Sequence, residues 1–555
     1  MKKTLRLMLA FAAILTCTLL FVACGRGGGD HDPRAFQEVP AGPWNTPFEN
    51  PVTIAAVGNH GAHWTFEGSD SIADSPWTRL FAEELNIHID FLWTAIDDQY
   101  DTRLNLDIAS GNLPDVFYIP TSNILLFNQL LDSGLLLDLT DAYRNYASPR
   151  ILDFERMDPY TIQGFMQDGR IFGIPRYYYG QIDQPWHLWI RNDWYEAAGS
   201  PAINTVADFE NLAHRFMNEF GASYGIAVAQ DLQWLFRTAP MFGAYIGNVM
   251  DHQYFWRPDE TGRLRPGISF PEFMVALEHW QRWFAEGIIS PDFATMDNSR
   301  VEEDIVNGLV GMQPWWQWWG WMNGPTITVL QGEDAIFYPH NFPTLAGGPA
   351  RGQVFFPNLG VIVASAEFQN PAALMKVLSM VDHMRGSPDA NLTPERLSYF
   401  MDGDREHGMT ETFSIISPAT DMEQFLYVRE AMITGDSSQL FTTGMQQKFQ
   451  QSMAWINNSE PHGIGAYLQM GAGDRSAYAR SQHLFDNNRT VQTALWSSIP
   501  PEFAAAGTTG DLILEEVTQI IMGNRPVSHF ETVLAQWYAQ GGQLKEDVVN
   551  ELFGQ

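Results

Sequence analysis

From Pro51 onward the chain alternates short β-rich runs with amphipathic helices, and this alternation restricts the possible architecture more than any composition figure does. Residues 52–57 read as a strand and 76–85 as a helix with Asp74 or Ser75 at its start. Residues 87–93 read as a second strand, 97–109 as a helix with Tyr100, Leu104 and Ile108 on one face, and 115–119 as a third strand. Strand, helix, strand, helix, strand predicts a parallel sheet covered by helices, an α/β fold. Ligands on such sheets collect at the carboxyl ends of the strands, which directs attention to Thr121, Ser122 and Asn123. Further strands are expected at 171–175, 189–190 and 360–364. Further helices are expected at 192–198, 206–220, 271–286, 371–384, 512–522 and 527–540. No internal repeat of solenoid length is visible. A chain of 555 residues, 45% hydrophobic, exceeds one ordinary domain and predicts two lobes.

The start of the chain bears on location. Lys2, Lys3 and Arg6 precede an apolar run over 7–22, which ends in Phe21-Val22-Ala23-Cys24 and a glycine-rich stretch. Small residues before a cysteine suit a signal-peptidase pocket. The segment resembles a bacterial lipoprotein signal, with Phe21 where leucine is usual. The resemblance implies that 1–23 is removed and that Cys24 carries lipid. The apolar run falls short of the roughly 20 residues that a membrane-spanning helix needs. Residues 24–49, rich in Gly, Pro and Asp, read as a flexible tether. Cys17 would leave with the signal and Cys24 would be lipidated, so the folded part is expected to hold no disulfide, no cysteine metal site and no cysteine nucleophile.

The net charge of −33 opposes nucleic acid and anionic lipid surfaces. It also disfavours a polyanionic ligand, unless a local basic pocket overrides the mean. Lysine is sparse beyond the leader, at Lys376, Lys448 and Lys545. Aromatic residues make up 13% of the chain, with 19 Trp, and their clustering decides whether they serve a core or a surface.

Several segments, in order, resemble the extracellular solute-binding lipoproteins of family 1 that serve sugar ABC importers. Ser110-Gly111-Asn112-Leu113-Pro114-Asp115-Val116 resembles that family's SGDLPDV turn. Asp168-Gly169-Arg170-Ile171-Phe172-Gly173-Ile174-Pro175 is similar to its DGKIYGIP element, and Trp189-Ile190-Arg191-Asn192-Asp193-Trp194 to LWIRKDW. Residues 134–140, 259–263, 286–293, 308–312 and 526–542 extend the likeness. It implies a two-lobed, periplasmic-binding-protein-like type II fold. Each lobe is a sheet flanked by helices, and hinge strands near 175–179 and 356–360 join the two around a ligand. The implied division is 50–176 plus about 358–430 for lobe 1, and 177–357 plus about 431–555 for lobe 2.

Sugars present C–H faces that stack on aromatic rings and hydroxyls that want donors and acceptors. Three clusters suit them. In Pro314-Trp315-Trp316-Gln317-Trp318-Trp319-Gly320-Trp321, five Trp fall within seven residues, and their N–H groups cannot all find partners easily in one buried knot. The Met-x-Pro-Trp arrangement resembles maltodextrin-type receptors, in which Trp315 would stack on sugar. Tyr177, Tyr178 and Tyr179 lie at the implied hinge, where alternation sends one or two toward the cleft. Trp234 occupies a position similar to an aromatic contact of sugar-binding relatives, and Trp496 a late crossing of the chain. Trp64 and Trp77 are weaker candidates, and Asp115 and Arg191 read as structural. No cofactor and no metal are expected; Asp402-Gly403-Asp404 lacks the alternating oxygen donors of a calcium loop.

The expected function is a lipid-anchored extracellular receptor, monomeric and without enzymatic activity, that captures a carbohydrate and passes it to ABC importer permease subunits. It would meet the membrane through Cys24 only and bind no nucleic acid. A glycoside hydrolase would need two facing carboxylates, and 65 acidic residues leave that open by count. No P-loop or H-E-x-x-H occurs. A receptor for peptide or another solute on the same fold is the third reading.

Overall fold

The computed structural model describes residues 43–553 except 61–68, 121–122, 159–160, 178–184, 249–252, 355–357, 388–400, 403–404, 407–410, 472 and 495–509. Cys24, Ser122, Tyr178, Tyr179, Trp496 and Trp64 lie outside the described residues.

The first sheet has the order Ile87–Ile96, Val52–His60, Val116–Pro120, Asn358–Ala364, Ile174–Tyr177. Its first three strands run parallel, as the alternation predicts. Asn358–Ala364 runs antiparallel to both its neighbours, because it arrives from the second sheet instead of through a helical crossover. Side chains alternate across this sheet. Val116 and Tyr118 enter one buried cluster with Trp77, Phe81, Leu374 and Leu378, while Phe117 and Ile119 enter another with Tyr100, Leu104 and Phe127. Burial on both faces explains the nearly unbroken apolar run at 116–119. The helix Pro76–Leu85 starts where expected: Ser75 N donates to Thr78 Oγ1 at 2.8 Å, and Ser75 Oγ accepts from Thr78 N at 3.4 Å. Asp115 is structural, its carboxylate accepting from Ala55 N at 2.9 Å. At Gly360 (φ 156°) a Cβ would stand 2.3 Å from the Ile119 carbonyl oxygen, so only glycine lets these strands meet.

The second sheet places His187–Arg191 between Met312–Trp315 and Phe337–His340, antiparallel to both. Its core takes Phe209, Leu212 and Phe216 from Val206–Glu219, and Phe273, Leu277, Trp280 and Trp283 from Pro271–Ala285. The chain passes between the sheets from Ile174–Tyr177 to His187–Arg191, and again from Phe337–His340 to Asn358–Ala364.

The helices Thr420–Thr434, Thr443–Asn458, Ile464–Met470 and Ala477–Asp486 share a small core of Phe425, Val428, Leu440, Met445, Met470 and Tyr478. Glu423 ties this layer to the first core: its carboxylate accepts from Arg150 Nη2 at 2.9 Å, and Arg150 Nε donates to Asp382 at 3.1 Å, all three side chains being buried. Ser481 ties it to His187 of the second sheet, and Gln469 to Trp321 in the segment that follows Met312–Trp315. The boundary expected near 430 falls inside the helix Thr420–Thr434.

Candidate functional site

Trp315 ends its strand opposite His187, so it stands at the end of the second sheet where the chain enters from the first. Four indoles gather there. Trp186 lies 4.6 Å from Trp316 and 5.8 Å from Trp315, measured between ring centroids. Trp316 and Trp318 stack at 5.9 Å with planes 23° apart, and both are half-buried. Trp315 meets Trp318 edge-on at 5.7 Å. Trp234, 1% exposed, backs Trp315 edge-on at 4.7 Å.

The backbone that carries these rings is fixed from below. Trp189 Nε1 donates to the carbonyl oxygens of Trp315 (3.3 Å) and Trp316 (3.1 Å). Glu302 accepts from Gln313 Nε2 at 3.2 Å and from Asn323 Nδ2 at 2.5 Å, bracketing the loop. Burial raises the Glu302 pKa despite these two donors. The guanidinium of Arg237 lies 4.9 Å over Trp186, and burial lowers its pKa to about 10, so it remains a cation at neutral pH.

Two indole N–H groups carry the site's unused polarity. Trp186 Nε1 and Trp315 Nε1 are buried and have no hydrogen-bond partner among the described residues. Such donors are expensive to leave unpaired. Two indoles farther along the same segment are satisfied. Trp319 Nε1 donates to Gln313 Oε1, and Trp321 Nε1 to Gln469 Oε1 at 3.1 Å.

The first sheet supplies a polar counterpart. Asn59 ends the strand Val52–His60 and Asn123 follows Val116–Pro120, so both stand at the carboxyl edge of adjacent parallel strands. Asn59 Oδ1 and Asn123 Nδ2 are buried and unpartnered among the described residues.

The structure separates the residues expected at a ligand. Trp315, Trp316, Trp318 and Trp234 form one cluster. Trp319 lies in the second core, fully buried and stacked on Trp189 at 5.1 Å, because its ring faces back under the loop. Tyr177 lies in the first core, 2% exposed and edge-on to Phe154 at 5.5 Å, because the strand alternation turns it inward. Trp77 is likewise core. Arg191 pairs with Asp193 at 2.7 Å and lies over Trp194, a structural role. Sequence reasoning missed Trp186, Arg237 and Asn59. The signal available for Trp186 was its place at the end of the crossing segment, just ahead of the Trp189-Ile190-Arg191 element.

Among the described residues no group of three or more His, Cys, Asp or Glu could hold a metal ion, and no helix is long and apolar enough to cross a membrane.

A solved HMO binding, ABC-transporter associated solute-binding protein from Bifidobacterium longum infantis superposes with a TM-score of 0.59, 12% identity, 91% of this chain and 98% of that chain. The fold is that of an extracellular solute-binding protein. Among curated proteins, Lipoprotein LipO of Bacillus subtilis is 24% identical over 250 residues, 43% of this chain and 46% of that protein. The polygalacturonan/rhamnogalacturonan-binding protein YtcQ of the same organism is 21% identical over 236 residues, 41% of this chain and 44% of YtcQ. The chain thus spans just under half the length of the curated relatives it matches. No protein-family model matches the chain.

Proposed function

We propose that this solute-binding fold is a carbohydrate receptor of an ABC importer. The observation that carries the reading is the cluster of Trp186, Trp315, Trp316 and Trp318, in which the half-buried rings of Trp316 and Trp318 lie beside the unpartnered indole donors of the buried Trp186 and Trp315. Ring faces suit the C–H surface of a sugar, and buried donors suit its hydroxyls. Asn59 and Asn123 on the first lobe add an acceptor and a donor, so closing the lobes would bring complementary walls onto one guest. Trp234 supports Trp315 from behind, and Arg237 steadies Trp186. Tyr178, Tyr179, Ser122 and Trp496 stay as candidates on the sequence reading.

The lobes divide, in this reading, at the two crossings after Tyr177 and before Asn358, with the helices of 420–486 bridging them. Lipid at Cys24 tethers a monomeric receptor to the outer side of the cell membrane, and the closed receptor hands its sugar to permease subunits. The reaction asked of the protein is binding alone, without bond cleavage. Incubation with a panel of oligosaccharides tests this: the account expects a raised melting temperature and sugars of unchanged length. Shortened products would favour a hydrolase, and stabilisation by peptides but no sugar would favour another solute.

A further inference from the structure

At the opposite edge strand of the second sheet from the tryptophan cluster, the helix Ala477–Asp486 leans over the end of Phe337–His340 and encloses a cavity of ≈ 440 Å³. Arg480, His340, His483, Asn341, Asn204 and Asp474 supply its polar lining. The volume is within the range of small-molecule sites.

Arginines gather around this cavity in a chain that is otherwise strongly acidic. Arg480 forms no ion pair among the described residues, and its Nε is buried without a hydrogen-bond partner. Burial lowers the Arg480 pKa, Asp474 partly restores it, and Arg475 lowers it again. Arg475 itself is engaged, over the Tyr338 ring at 3.8 Å and on Asn192 Oδ1 at 2.5 Å. Arg489 Nη1 donates to the carbonyl oxygen of Pro349, another lining residue, at 2.9 Å. An acid at the rim offsets part of this charge. Asp474 is 94% exposed and leans toward Arg429 at 3.6 Å. Burial, then Arg480 and Arg475, push His340 down to about 3, so its ring is neutral at pH 7 and carries one N–H donor. Asn341 Oδ1 is also buried without a partner, and half a turn of the amide would present its NH2 to the cavity instead.

We infer that this cavity is a binding site for a small oxyanion, a phosphate or a carboxylate, seated on Arg480 with His340 and Asn341 as further donors. A guanidinium that lacks a carboxylate is the group that such an anion completes. The site shares no lining residue with the tryptophan cluster, so it stands or falls separately from the sugar reading.

The test titrates the full chain with inorganic phosphate and, separately, with glucuronate, at constant ionic strength set by chloride. Saturable broadening of the phosphorus resonance, or saturable heat with glucuronate, is expected, together with a raised melting temperature. Arg480→Gln should weaken either anion at least tenfold, and Arg480→Lys should restore part of the loss. Saturation by phosphate alone identifies the occupant as a free phosphate-type anion; saturation by glucuronate identifies a carboxylate-bearing ligand. The inference is overturned if neither anion saturates, or if Arg480→Gln binds as tightly as the parent chain while melting at the same temperature.

Discussion

The indole of Trp234 stands edge-on to Trp315, with centroids 4.7 Å apart and planes at 85°. The contact presses the hydrogen-rich edge of one ring toward the face of the other and fixes the angle at which Trp315 meets its surroundings. Trp315→Ala is expected to weaken sugar binding by about 1–3 kcal/mol, the range for a buried aromatic contact. Trp234→Leu, which removes the ring that backs Trp315, should cost about 1 kcal/mol of affinity. Calorimetric titration of both variants checks the order: a larger loss from Trp234→Leu than from Trp315→Ala would reverse their roles.

The polar wall makes a separate prediction. Asn123→Ala removes a buried amide with an unpartnered Nδ2, so the free protein should lose little stability. Affinity for sugar should fall by about 1–2 kcal/mol, one hydrogen bond that the guest can no longer make. A variant with full affinity would remove Asn123 from the site.

Arg150 holds two buried carboxylates, Asp382 at 3.1 Å and Glu423 at 2.9 Å, and so joins the first core to the helical layer. Arg150→Met would strand both acids, and burial already raises the pKa of each. The expected loss of unfolding free energy is about 3–5 kcal/mol. The triple variant with Asp382→Asn and Glu423→Gln should recover much of it, because no buried charge is left unpaired. Denaturant unfolding measures both, and equal losses would refute the charge argument.

Much of this fold was legible because local signals agreed. Ser75 before Pro76, the spacing of Tyr100 and Leu104, and the two-faced apolar run at 116–119 each have one physical solution, and the elements fall where those residues put them. The antiparallel direction of Asn358–Ala364 was not legible, because strand direction depends on where the chain has come from and not on side-chain pattern. The site was half legible. Five Trp near one strand end announced a cluster, yet nothing in the order of residues distinguishes Trp319, whose N–H finds Gln313, from Trp315, whose N–H finds no partner among the described residues. That difference is set by how the loop folds back. Trp186 and Asn59 are brought in by tertiary contacts across long separations, which no local pattern encodes.

Burial, with Arg480 adding to it, pushes His187 down to about 3, and its Nε2 lies 3.1 Å from Ser481 Oγ. The unfolded chain takes up a proton near pH 6.5, whereas the folded chain resists it until about pH 3, so stability falls as pH drops through that window. At pH 5 the expected loss from this residue is on the order of 2 kcal/mol. The melting temperature of His187→Gln should decline less between pH 7 and 5 than that of the parent chain. Parallel declines would place the acid sensitivity elsewhere.

The central claim is that Trp186, Trp315, Trp316 and Trp318 face the guest, and their own fluorescence reads it most directly. Titration of the full chain with an oligosaccharide panel, followed by tryptophan emission, should give a saturable change for at least one sugar. Trp315→Phe and Trp316→Phe should each remove a large part of that amplitude. Binding that is seen by calorimetry but leaves the emission of the parent chain unmoved, or that survives both substitutions at full affinity, would contradict the account.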